Sequence, residues 1–160
     1  MSLINGSITG YQGSGAGITA NVAAPFTSGS SRLTATGSTD QVIGGGVGGT
    51  ITWNEIVRVG GDISDNTGGV FLINTGGIYL LNTMVFTNSA YNSVFQVNNA
   101  TLTPNTSIEN NGNGAYSMLR VVALNSGDLV KVVCTNNTTV YKNLYGDTRR
   151  SSFFEIVRLS

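Results

Sequence analysis

Histidine is absent, cysteine occurs once, proline twice, and eight basic side chains are cancelled by eight acidic ones over 160 residues. Each shortage excludes something. Without histidine the chain lacks the usual general base near neutral pH and the commonest metal ligand. With Cys134 alone no intrachain disulfide can form. Cys134 closes the run Leu129-Val130-Lys131-Val132-Val133-Cys134 and reads as a small buried strand residue rather than a reactive thiol. Nucleic-acid binding needs clustered Lys and Arg to displace counterions, and the nearest approach to a cluster is the pair Arg149-Arg150. No direct contact with nucleic acid is therefore expected. Met1-Ser2-Leu3-Ile4-Asn5-Gly6 lacks the basic start and apolar stretch of a signal peptide, and no run is apolar enough to cross a bilayer, so no membrane partner is expected either. The Glu, Lys and Ala that normally clothe helices are scarce as well.

What is present points to β structure. Gly, Asn, Thr and Ser supply the polar positions, while the apolar ones are largely Val, Ile, Phe and Tyr, which suit a pleated, half-buried surface. Residues 1–49 are dominated by Gly, Ser, Thr and Ala and end in Gly44-Gly45-Gly46-Val47-Gly48-Gly49. Such a composition buries little per residue and reads as an extended arm or attachment segment laid over a partner. From residue 50 to 160, short β-type runs alternate with turn clusters, the pattern of a sandwich or barrel. Strands are expected near 51–59, 69–74, 77–87, 93–98, 116–124, 128–135 and 153–159, with 99–114 as a long polar loop. In Ile78 to Phe86 and in Phe153 to Val157 both faces are largely apolar. A monomeric sheet with one wet face would not need that, so a partner is expected to cover the second face.

Several segments resemble, in order, the C1q/TNF-like family. Ile51-Thr52-Trp53-Asn54-Glu55-Ile56-Val57 precedes Asp65-Asn66-Thr67-Gly68-Gly69-Val70-Phe71, similar to the family's D-x-x-T-G-x-F turn and strand. Gly76-Gly77-Ile78-Tyr79-Leu80-Leu81 resembles P-G-x-Y-x-F, with Gly76 for the proline and Leu81 for the last aromatic. Leu124-Asn125-Ser126-Gly127-Asp128-Leu129-Val130 resembles L-x-x-G-D-x-V, and Leu144 to Ile156 resembles the closing segment, with Glu155 where the family has glycine. The resemblance spans about residues 51–159. It implies an all-β jelly-roll sandwich working as a homotrimer, with the Tyr79 strand and the C-terminal strand near the threefold axis. The interface candidates it implies are Tyr79, Leu81, Val85, Phe153, Phe154 and Ile156.

Candidate sites are few. Asp62 and Asp65 share a loop and are candidates for calcium, although Ca²⁺ takes six or more oxygens and two aspartates at turns more simply cap backbone amides. No other cofactor is expected. Asp128 and Asp147 read as turn residues. The glycines at 44–49 lack the Gly-Lys-Ser/Thr of a phosphate loop, and Ser151-Ser152 has no histidine partner. Trp53, Tyr91, Tyr116, Tyr141 and Tyr145 fit either a sugar-stacking platform or core and interface packing. Arg58 and Arg158 are expected to pair with Glu55 or Glu155. These features exclude an enzyme and leave two readings. One is a structural protein of a virus or phage particle (capsid, penton, spike or decoration subunit), joined to other capsid or surface proteins through its arm. The other is a C1q-like recognition head, cell-surface or extracellular, for a carbohydrate or receptor.

Overall fold

The computed structural model describes residues 31–44, 48–87, 91–102, 108–110, 114–134, 138–142 and 152–160. Among these residues there is no helix; they form two antiparallel sheets of seven strands each. In chain order the strands are β1 (Arg32–Thr36), β2 (Gln41–Ile43), β3 (Gly49–Thr50), β4 (Glu55–Val59), β5 (Ile63–Asp65), β6 (Val70–Ile73) and β7 (Gly77–Thr87). They continue as β8 (Tyr91–Val97), β9 (Ala100–Thr101), β10 (Ile108–Asn110), β11 (Gly114–Leu124), β12 (Leu129–Cys134), β13 (Thr138–Tyr141) and β14 (Phe153–Arg158).

The first sheet runs β2-β13-β7-β14-β1-β4, with β11 paired to the other edge of β7. β7 organises it: β11 follows it over all eleven residues, while β14 and then β13 share its opposite edge. The second sheet runs β10-β8-β12-β6-β5, with β3 on β12 and β9 on β8. The chain crosses between the sheets repeatedly, most regularly from β6 through β8 and from β10 through β13, as in a jelly roll. Alternate residues from each strand meet in one core: Leu33, Phe71, Ile73, Tyr79, Leu81, Val85, Val130, Val132, Phe154 and Ile156 are all essentially inaccessible. Each large apolar side chain so buried contributes ~1.5–3 kcal/mol relative to exposure.

The turns are built by the residues the sequence placed there. Asp65 accepts the Thr67 amide through its carboxylate, and Thr67, Gly68 and Gly69 all have positive φ. At Gly69 a Cβ would sit 2.0 Å from the Ile51 carbonyl oxygen, so only glycine fits. Between β11 and β12, where the chain passes from the first sheet to the second, Asp128 accepts the Asn125 amide, and the Gly127 amide donates to the Ile73 carbonyl, joining this turn to the end of β6.

Three expectations need correction. The jelly roll does not begin at residue 50: β1 and β2 lie inside the segment read as an arm, and β1 sits between β14 and β4. Leu33 and Ala35 alternate inward there, and a composition averaged over a Gly/Ser/Thr-rich window hides two buried residues in five. Residues 1–30, the rest of that segment, lie outside the described residues. The expected strand at 51–59 begins only at Glu55, because Ile51 and Trp53 point into the core from an irregular stretch held by Gln41. The expected loop 99–114 contains β9 and β10.

Candidate assembly face

The outer surface of the first sheet follows from residue parity and register. Tyr79, Leu81, Thr83 and Val85 of β7 turn inward, so Ile78, Leu80, Asn82, Met84 and Phe86 turn outward. In β14 Phe154 and Ile156 are core and Phe153, Glu155 and Val157 are outer. The six interface candidates therefore divide five to one. Tyr79, Leu81, Val85, Phe154 and Ile156 lie between the sheets, where no second chain can reach them, and Phe153 alone lies on the outer face. The physical reason is that both faces of these strands are apolar, and parity gives two sets without saying which one meets the other sheet.

Pairing lays the outer residues out in rows across five strands. Val57 (β4), Thr34 (β1), Glu155 (β14), Asn82 (β7) and Leu119 (β11) form one row. Val59, Arg32, Val157, Leu80 and Val121 form the next. Phe153, Met84 and Ser117 form a third, on the far side of the first. The face is largely apolar, and its edges are the wettest: Val57 is 63% exposed, Val59 49%, Leu119 61% and Val121 59%. Its charges are Arg32, Glu55 and Glu155, with Arg32 Nε 4.0 Å from Glu155 Oε1. An apolar sheet face of this breadth is uncommon on a monomer.

The carboxylates do other work. Asp62 Oδ2 accepts from Arg158 Nη1 at 3.2 Å, and Arg158 also donates to the carbonyls of Ser160 and Gly76. Hydrogen bonds from the Thr75 and Ser31 side chains, with the Arg158 guanidinium beside them, hold the Asp62 carboxyl below its ordinary value. Asp65 caps its turn. Among the described residues no three His, Cys, Asp or Glu side chains converge. Arg158 thus pairs with Asp62 rather than with Glu55 or Glu155, and ties the C-terminus to the loops on either side of β5 and β6. Glu155 takes Arg32, a strand neighbour. Glu55 accepts from the Thr36 hydroxyl, and Arg58 is exposed without a described ion pair.

Among the aromatics, Trp53 is buried, its indole N–H without a described partner, and Tyr116 is half-buried against the core. Tyr141 is half-buried; the side chain of Tyr91 and the whole of Tyr145 lie outside the described residues, as does Asp147. Of the three described rings of that platform, Trp53 and Tyr116 belong to core packing. Ser152 is buried, donating to the Tyr141 carbonyl and accepting the Phe86 amide. Burial pushes the Cys134 thiol up to about 11, its contact with the Ser93 hydroxyl offsetting part of the rise. Lys142 has no signature in the sequence around it: it is buried, donates to the Thr52 hydroxyl, and burial lowers its pKa while Asp40 opposes the shift. Gly37 makes room for it, since a Cβ there would meet the Lys142 side chain at 2.5 Å.

No protein-family profile matches the chain, and no curated protein sequence does. Solved structures do. Murine APRIL at pH 8.5 superposes with a TM-score of 0.65 at 16% identity, over 81% of this chain and 98% of that one. Eiger TNF from S. frugiperda gives 0.58 at 12% identity, over 81% and 92%. The globular domain of zebrafish complement 1qA gives 0.57 at 12% identity, over 81% and 97%. The chain has the C1q/TNF-like jelly-roll fold.

Proposed function

We propose that this protein is a non-enzymatic homotrimeric head that joins three copies through the outer face of the β4-β1-β14-β7-β11 sheet. The observation that carries the reading is that face. At ~4.8 Å between strands and ~3.3 Å per residue, five strands and the length of β7 span roughly 24 by 36 Å. That reaches the ~800 Å² that each partner contributes to a stable interface. The fold shared with TNF and C1q globular domains supports a head that presents surfaces for binding rather than a site for chemistry, by analogy of fold. Two settings fit such a head. In the first it is a structural subunit on a virus or phage particle, with residues 1–30 engaging neighbouring proteins. In the second it is a recognition head at a cell surface or outside the cell, with a carbohydrate or receptor as ligand.

Light scattering on a size-exclusion column separates these settings, using the full chain, a chain beginning at Ser31, and a full chain carrying Leu119→Asp. A mass of three 16.6 kDa chains for the full protein, falling to one in Leu119→Asp, is the expected result. A trimer from both lengths favours the recognition head. A larger closed assembly that needs residues 1–30 favours the particle subunit. A monomeric full chain refutes the proposal.

A further inference from the structure

Beyond the trimeric reading, and without needing it, we infer that residues 18–24 add to the open edge of β11 in their own copy, as one more strand of the first sheet. The first observation is that edge. β11 is paired to β7 on one side, and among the described residues no strand pairs with the other. Sheet edges are ordinarily kept short or charged, because a row of open N–H and C=O groups is a template for another strand. The other edge strands follow that rule: β2, β5 and β10 have three residues each, and β4 has five with Glu55 and Arg58 among them. β11 has eleven, without proline or lysine and with Arg120 as its only charge, and Leu119 and Val121 stand well exposed on it.

The second observation is what the chain has to offer such an edge. Within residues 1–30 the longest run without glycine or proline is Ile18-Thr19-Ala20-Asn21-Val22-Ala23-Ala24, set between Gly17 and Pro25. It alternates Ile18, Ala20 and Val22 with Thr19, Asn21 and Ala23, the period of a strand with one apolar face. Pro25 favours extended backbone at Ala24 and ends the run. The third observation is where this run joins the sheet. Ser31 accepts the Arg158 amide, Arg158 pairs with Tyr79 and Tyr79 with Val122, so all four stand at one level. Four strand spacings of ~4.8 Å separate β1 from a strand added beyond β11, ~19 Å in all. The seven Cα steps from Ala24 to Ser31 span ~23 Å when extended, which suffices. Ala24 then sits at the level of Val122 and Ile18 near that of Tyr116, parallel to β11, and Ile18, Ala20 and Val22 carry the apolar outer face past Leu119 and Val121. The short tether keeps the run at high effective concentration beside the edge. The added strand closes an edge that would otherwise pair with other chains.

Amide hydrogen exchange read by mass spectrometry tests this on the full-length protein, on full-length Ala20→Pro and on full-length Ser14→Pro, with light scattering on each sample. A proline at position 20 removes a ladder donor inside the run, and one at position 14 lies outside it. The expected result is exchange over residues 18–24 at least ~10-fold slower than in unstructured chain. Ala20→Pro should abolish that protection and part of the protection of β11, leave β14 unchanged, and Ser14→Pro should match the parent. Exchange of residues 18–24 at the unstructured rate in the parent would overturn the inference. So would protection there that Ala20→Pro abolishes with no change in β11, since the run would then lie elsewhere. Protection of both segments that disappears when dilution separates the copies would assign the strand to a second copy and overturn it as well. Protection that persists at the mass of one chain would uphold the inference and remove the trimeric reading, so the two fail separately.

Discussion

Phe153 and Phe154 are adjacent and chemically identical, and the structure assigns them opposite fates. Phe154 is inaccessible, with its ring centroid 5.6 Å from that of Phe71 and 5.7 Å from that of Phe95. Phe154→Ala removes the ring from the junction of both sheets and leaves a cavity lined by residues fixed in strands, which collapse poorly around it. Buried Phe→Ala changes cost ~3–5 kcal/mol, and two ring contacts at ~0.5–1.5 kcal/mol each place this one in the upper half. Against a domain stability of ~5–15 kcal/mol the loss is about a quarter or more. Phe153→Ala uncovers only part of an outer-face ring, so its cost to the single subunit should stay below ~1.5 kcal/mol. Urea denaturation of both variants in a Leu119→Asp background isolates the subunit, and repetition in the wild-type background at several protein concentrations adds the assembly. Phe154→Ala should lower the midpoint in both settings. Phe153→Ala should matter chiefly in the assembling background, and more at low concentration, because mass action links oligomer and apparent stability. Equal losses from the two variants in the monomeric background would refute the assignment of faces.

Two further outcomes follow from the buried and paired groups. The Asp62 carboxyl is lower in the folded chain than its ordinary 3.8, so its contribution is complete above that value and is lost as pH falls through the depressed one; Asp62→Asn should flatten the acid limb of stability against pH, and an unchanged limb would remove the Arg158–Asp62 clamp from the account. Cys134, with its thiol pushed up to about 11 and wholly buried, should resist an aromatic disulfide reagent in native buffer and react stoichiometrically in denaturant; rapid native labelling would contradict its placement.

Much of the fold is legible in the sequence because turn chemistry is local. Asp65-Asn66-Thr67-Gly68-Gly69 and Asn125-Ser126-Gly127-Asp128 place their turns by side-chain to backbone bonds within a few residues, and the structure contains those bonds. The β1 and β2 segment was illegible for the opposite reason. Its inward residues, Leu33, Ala35 and Ile43, are few and spaced by Thr and Gly, and they acquire a strand because β14 and β13 offer edges 95 or more residues away. Arg158 found Asp62 rather than Glu155 because neighbours in a strand point to opposite faces, so Arg158 and Glu155, three apart, cannot meet. The buried Lys142 depends on Thr52 and Asp40, ninety and a hundred and two positions away, and no local pattern announces such a contact.

By itself the sequence determined the class of structure: period-two alternation, turn residues at their stations, too little charge for nucleic acid, no histidine for the usual acid–base chemistry. It also determined that the Tyr79 and C-terminal strands are apolar on both sides. Which side is core was decided only in three dimensions. A strand's two faces differ by one residue of phase, and when both are apolar that phase is set by where the second sheet packs. The same step that sends Phe154 inward leaves Phe153, Leu80 and Val157 on an open face, with Val57 and Leu119 at its two ends.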